Sequence, residues 1–262
     1  MLLSLKSMYW LFAFIRGLKV HGFLQANIIS LVLSDLVKEL QNLKDPRRAE
    51  VSAWFFKTGP GQYGEGDVFL GITVPDQRKV AKKYLNLSFA DIKKLLVNKI
   101  HEYRLVGLLI LVENYKKTDE VVKKKIYDFY VLNLKYVNNW DLVDLSADYI
   151  LGDYLLNHQR SLLYKLSRSV NLWERRVAIV ATYRFIKNNR FSDTLKIAAL
   201  LIDDDHDLIH KAVGWMLREV GKRDQMLEEK FLQKYYKIMP RTMLRYAIER
   251  FDEAKRKHYL EK

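Results

Sequence analysis

The chain has 262 residues, 49% of them hydrophobic, with 45 Lys plus Arg against 31 Asp plus Glu for a net charge of +14. That length buries one large core or two small ones, and such a charge favours a polyanionic partner, either nucleic acid or an anionic membrane surface. There is no cysteine, which excludes disulfides, thiolate nucleophiles and cysteine-ligated zinc and fits a reducing cytoplasm.

Residues 1–33 read as an apolar extension. Met8 to Ile15 is an apolar run closed by Arg16 and Lys19, too short to span a bilayer. Lys6 precedes it, as in a signal peptide, but no small-x-small cleavage site follows. An extra packed helix, or a start placed too far upstream, accounts for it. Segment 34–44 is the first amphipathic helix, capped by Ser34 or Asp35 and striped by Leu36, Leu40 and Leu43. Asp45-Pro46 ends it, and Pro46 suits the first turn of the next helix, which runs to about Lys57.

Four glycines follow between Thr58 and Asp67, at 59, 61, 64 and 66. The Gly-Lys-Ser/Thr ending of a phosphate-binding loop is missing and no strand precedes, so this stretch reads as a long interhelical turn with positive φ. Val74-Pro75-Asp76 then starts a helix. Helical periodicity continues at roughly 76–85, 88–98, 101–116, 119–135, 139–156, 159–168, 172–188, 192–202, 206–221, 224–237 and 241–251. The fold class predicted is all-α.

Comparing these helices reveals a repeat. Glu102-Tyr103-Arg104-Leu105-Val106-Gly107 resembles Glu174-Arg175-Arg176-Val177-Ala178 and Ile209-His210-Lys211-Ala212-Val213-Gly214 in pattern, with Arg104, Arg175 and His210 equivalent at separations of 71 and 35. A period near 35 of paired helices predicts an α-solenoid of HEAT-like repeats with a concave groove lined by its inner helices. The division expected is a single domain over 34–255 with a basic tail at 256–262. Basic clusters at Lys82-Lys83, Lys93-Lys94 and Lys123-Lys124-Lys125, with Arg241 and Arg245, would add sequence-independent affinity for phosphates, although a solvated outer face explains any one lysine better.

Candidate chemistry is sparse. His206 and His210 lie four apart beside Asp203-Asp204-Asp205, but acidic residues at a helix start complement its dipole, and that reading is preferred to a metal site. No Ser/His/Asp arrangement or His-Glu-x-x-His occurs. The aromatic residues say more. Trp140 and Asp144 are four apart, and Trp173 and Arg176 three apart, so each pair shares a helix face. A tryptophan in a helical repeat is most often core. Aromatic rings beside charges, which are seldom buried alone, instead point to a wet groove built from the Trp140, Trp173 and Lys211–Trp215 stretches.

The chain also resembles the AlkD-type DNA alkylation repair glycosylases over roughly Ser34 to Phe251. The resemblance is carried by Phe55-Phe56-Lys57-Thr58-Gly59-Pro60-Gly61, Gly64-Glu65-Gly66-Asp67-Val68-Phe69-Leu70-Gly71, Asn139-Trp140-Asp141-Leu142-Val143-Asp144, Trp173-Glu174-Arg175-Arg176, Lys211-Ala212-Val213-Gly214-Trp215 and Met239-Pro240-Arg241-Thr242 with Arg245. It implies hydrolysis of the N-glycosidic bond of 7-alkylguanine and 3-alkyladenine in duplex DNA, with Asp144, Trp140 and Trp215 as catalytic residues and Arg176 on a phosphate. Relatives that only bind DNA have lost residues of this set, and this chain keeps all four. An aromatic near the second helix, Phe55 or else Trp54, is expected to approach DNA, as are Trp173, Lys211, Arg241 and Arg245. The family engages the lesion from the backbone side without a base pocket, whereas the residues alone would favour base flipping, the default for enzymes that act on bases. No cofactor, metal or membrane is implied. A monomer is expected, in the cytoplasm and on the nucleoid if bacterial.

Overall fold

The computed structural model describes residues 32–261. The apolar extension therefore lies outside the described residues except for Val32 and Leu33, which already belong to the first helix, α1 (32–42). Ser34 and Asp35 are thus inside α1 and cap nothing. The α1 stripe is as expected at two positions, Leu36 and Leu40 being fully buried, whereas Leu43 falls in the exposed turn that follows.

Asp45 caps α2 (Pro46–Phe55) through the Arg48 amide. The long Gly-rich connection then leads to Thr73, which caps α3 (Val74–Lys83), at the start expected from Val74-Pro75-Asp76. Next come α4 (Phe89–Leu96), α5 (His101–Lys116) and α6 (Glu120–Leu132). Asn139 caps a short α7 (Trp140–Asp144). The continuous helix expected over 139–156 is interrupted here: Ser146 Oγ bonds the Leu142 carbonyl and the Tyr130 hydroxyl, and the backbone widens into a π-helical turn over Asp148–Gly152 before α8 (Asp153–Leu155). Gly152 is needed there, because a Cβ would sit 2.2 Å from the Ala181 carbonyl oxygen.

After α9 (Ser161–Leu166), the helix expected over 172–188 divides at Thr182 into α10 (Leu172–Ala181) and α11 (Tyr183–Lys187). The Thr182 hydroxyl donates to the Ile179 carbonyl at 2.6 Å, a local bond that competes with helix continuation. α12 (Ser192–Leu200), α13 (Asp207–Gly221), α14 (Gln225–Tyr235), α15 (Arg241–Ala247) and α16 (Glu253–Leu260) complete the chain. The basic tail expected from 256 is the second half of α16, seated by the buried Tyr259 against Tyr236 and Phe251.

The described residues contain no strand, only one isolated bridge between Val68 and Ile100. The fold is an all-α solenoid of helical pairs whose leading helices start at 101, 140, 172, 207 and 241. Its repeat is visible in side-chain chemistry. Arg104 Nη1 donates to the Asn98 and Lys99 carbonyls at 3.0 and 3.3 Å. Arg175 Nη1 does the same to Ser169 and Val170, both at 3.0 Å, and His210 Nε2 meets the Asp204 carbonyl. Each side chain reaches back to the turn before its own helix and satisfies carbonyls there, so the three positions are equivalent in structure as well as in pattern. One apolar core runs through all the pairs.

Candidate functional site

The leading helices put their inner faces on one cleft of about 940 Å³. α2 contributes Trp54 and Phe55, the Gly-rich connection contributes Tyr63, α7 contributes Trp140 and Asp144, α10 contributes Arg176, and α13 contributes Lys211 and Trp215. The three stretches singled out from the sequence do converge. Gly214 lets α13 lie close to α15, since a Cβ there would be 2.4 Å from the Met243 carbonyl oxygen, and its neighbour Trp215 is thereby set at the cleft wall, tilted against Tyr183 at 5.6 Å.

Asp144 sits at the floor. Its carboxylate accepts two bonds from Arg176, from Nε at 3.0 Å and from Nη2 at 2.8 Å. The third bonding nitrogen of Arg176, Nη1, donates to the Leu208 carbonyl on α13. The pairing gives Arg176 a carboxylate partner within the cleft that both residues line, its side chain 6% exposed against 20% for Asp144. Burial pushes the Asp144 carboxyl above its ordinary range, and the charge and hydrogen bonds of Arg176 pull the other way without cancelling it.

Trp140 is held from below by a stack that sequence reasoning missed. Its indole lies on Phe56 at 5.2 Å and 16°, and Phe56 continues to Phe69 at 5.0 Å and to His101 at 5.1 Å. His101 is 2% exposed, with Nε2 on Asp141 Oδ2 at 2.7 Å and Nδ1 on Asp67 Oδ2 at 3.3 Å. Arg104 Nη2 adds a 2.7 Å bond to Asp67 Oδ1, and Asn139 Nδ2 reaches Asp67 at 3.1 Å. Burial would push the imidazole down, but the Asp141 charge and the hydrogen bonds it makes to Asp141 and Asp67 outweigh that and lift His101 to about 9. Asp67 and Asp141 stand 34 and 40 residues from His101 in the chain, and no local spacing signals the cluster. The available clue is that both aspartates lie inside the motifs that carry the resemblance.

The remaining expected residues are placed unevenly. Phe55 meets Trp140 edge-on at 6.0 Å, and Trp54 beside it is 81% exposed, so both aromatic candidates line the cleft. Lys211 lines it too and pairs with Asp207 at 2.7 Å. Trp173 is half-buried and is not among the lining residues; it reaches the site through Tyr63, edge-on at 5.9 Å. Arg241 is not at the cleft and donates to the Leu260 carbonyl at 2.6 Å, tying α15 to α16. Arg245 is exposed on α15, one residue before the lining Tyr246. Of the acidic run after α12, Asp204 pairs with Arg175 at 2.5 Å, and His206 caps α13 through the Leu208 amide.

No curated protein matches the sequence. The family model described as DNA alkylation repair enzyme matches residues 36–251. A solved structure described as a predicted DNA alkylation repair enzyme from Enterococcus faecalis is similar with a TM-score of 0.63 at 18% identity, covering 80% of this chain and 97% of its own. AlkD2 from Streptococcus mutans is similar with a TM-score of 0.52 at 15% identity, covering 86% and 99%. At those identities the structural likeness is one of fold, and the motif content and the family match carry the rest. With that family model matched over most of its length, the chain belongs to the DNA alkylation repair enzyme family.

Proposed function

We propose that the protein is a DNA glycosylase that hydrolyses the N-glycosidic bond of cationic alkylated purines, 7-alkylguanine and 3-alkyladenine, in duplex DNA, as the first step of base excision repair. The observation that carries this reading is Asp144: a carboxylate opening into a cleft walled by Trp140 and Trp215, in a protein of net charge +14. A surface that only gripped phosphates would have no use for a carboxylate facing DNA.

The chemistry needs little more. Alkylation has already made the base cationic, so it departs as a neutral purine without a general acid, and one carboxylate suffices where ordinary glycoside hydrolysis uses two. As the C1′–N bond breaks, positive charge develops on the deoxyribose. Asp144, held by Arg176, stabilises that charge and orients the water whose oxygen bonds to C1′, and the water's proton leaves through the carboxylate to solvent. The faces of Trp140 and Trp215 favour cationic character at the sugar. The cleft is open and lined by aromatic rings from several helices, which accords with engagement from the backbone side and without a base-flipping pocket. Duplex DNA is the partner, the protein acts as a monomer, and the cytoplasm is its place of action.

The test is release of 7-methylguanine from duplex DNA by wild type and by Asp144→Asn. Release by wild type alone supports the reading. Tight binding of DNA with no release by either protein would replace it with a DNA-structure-binding role, the reading that the complete pairing of Asp144 with Arg176 would then favour.

A further inference from the structure

The Gly-rich connection between α2 and α3, with no phosphate-loop signature and no strand before it, is more than a turn. It is a built wall of the cleft. Its own side chains brace it: Gln62 Oε1 accepts the Gly59 amide at 3.0 Å, and Glu65 Oε2 accepts the Gly61 amide at 2.9 Å. Its far end is bolted down by Asp67, which bonds His101, Arg104 and Asn139. Its middle is pressed onto the end of α2, where the Gly64 amide bonds the Lys57 carbonyl at 3.1 Å. Such bracing is unneeded if the segment merely joins two helices. What it presents is Tyr63, at the cleft edge, with Trp173 edge-on at 5.9 Å and Lys57 Nζ 5.9 Å from the ring centre.

We propose that Tyr63 is a DNA-contacting residue whose hydroxyl donates a hydrogen bond to a phosphate oxygen of the nucleotide held at Trp140. Three observations support it. The hydroxyl's acceptor among the described residues is the Phe55 carbonyl at 3.4 Å, too long to hold its proton firmly. Lys57 and Lys211 line the cleft together with it, so an anion drawn to those cations arrives beside it. Burial pushes the phenol's pKa up, which keeps the hydroxyl protonated and a donor at neutral pH. A neutral donor among cations adds direction to a phosphate site that charge alone leaves loosely oriented.

The proposal rests on the reading that the cleft faces DNA. Its test separates the two. Tyr63→Phe keeps the ring and its packing on Trp173, so unfolding temperature should not change. Binding is measured for a short duplex carrying one uncleavable abasic-site analogue, over a range of salt, beside Lys211→Met. Loss of a hydrogen bond to a charged acceptor should weaken Tyr63→Phe on the order of tenfold, with the slope of log affinity against log salt unchanged because no charge is lost. Lys211→Met should flatten that slope by about 0.9. Affinity equal to wild type, or a slope that falls as it does for Lys211→Met, overturns the proposal and leaves the glycosylase reading standing. Absence of base release by wild type with the Tyr63 effect on binding intact removes the glycosylase reading and leaves Tyr63 in place. Absence of any DNA binding by wild type overturns both.

Discussion

Two acid–base clusters flank Trp140, made from the same kinds of residue and put to opposite uses. On one side Asp67, His101, Arg104 and Asp141 bond one another with side chains at most 10% exposed. On the other Asp144 and Arg176 pair as tightly, yet Asp144 opens to the cleft. Charge balance and hydrogen bonding are alike in the two; access to the cleft is not. A buried ion pair therefore says little about function until one asks which member can still be reached. The closed cluster fixes the Gly-rich wall to α7 and holds Trp140 through Phe56. The open one is the pair to which the proposed glycosylase reaction assigns the chemistry.

If the division is right, breaking the closed cluster should cost stability. Asp67→Ala leaves Arg104 and a charged His101 short of a counter-ion in the interior, a class of change that costs about 3–5 kcal/mol. The expected result in chemical denaturation is a midpoint lowered by a corresponding amount, with the protein that remains folded still binding DNA. An unchanged midpoint would mean the cluster is not what holds the wall. Breaking the open cluster should do the reverse. Asp144→Asn should fold and bind DNA, yet release 7-methylguanine on the order of 10²- to 10³-fold more slowly, the loss typical of removing a group aimed at transition-state charge.

Acidity sharpens the comparison further, because the two clusters titrate in different ways. His101 is raised to about 9 from an unfolded value near 6.5. Its contribution to stability is complete below about 6.5 and is lost as pH rises through about 9. Unfolding midpoints measured between those limits should fall with rising pH, and His101→Gln should remove that dependence. In the proposed reaction Asp144 acts as a carboxylate, and burial raises its carboxyl above the ordinary range. Base release should therefore fall off in acid at a pH above the ordinary aspartate value of about 3.9. Arg176→Met, which removes the opposing positive charge, should move that limb higher still.

Much of this architecture is legible in the sequence because helical repeats are local objects. The period near 35 follows from Arg104, Arg175 and His210, and each of the three makes the same backward bond to a carbonyl. Asp144 and Trp140 are found by an i,i+4 spacing. What spacing misses is set by packing across repeats. The break after Asp144 depends on Gly152 meeting Ala181, and the preference of Arg176 for Asp144 depends on α10 lying beside α7. Tyr63 reaches the cleft only because Asp67 is anchored on His101 and Asn139, 34 and 72 residues further along the chain. The glycines around Tyr63 mark a shaped segment, but they do not say what it faces.

The smallest expected effect concerns two arginines that look alike in the sequence and differ in the fold. Arg241 is engaged with the Leu260 carbonyl, so Arg241→Ala should loosen α16 and lower the unfolding temperature slightly while acting on DNA binding only indirectly. Arg245 is exposed on α15, next in sequence to the lining Tyr246. Arg245→Ala should leave stability alone, weaken DNA binding a few-fold and flatten the salt dependence by about 0.9, as expected when one phosphate is no longer neutralised. Should the slopes of the two variants be equal, the rim of the DNA-facing surface would have to be drawn to include α16 as well as α15; should neither change, DNA would be confined to the walls made by α2, α7, α10 and α13.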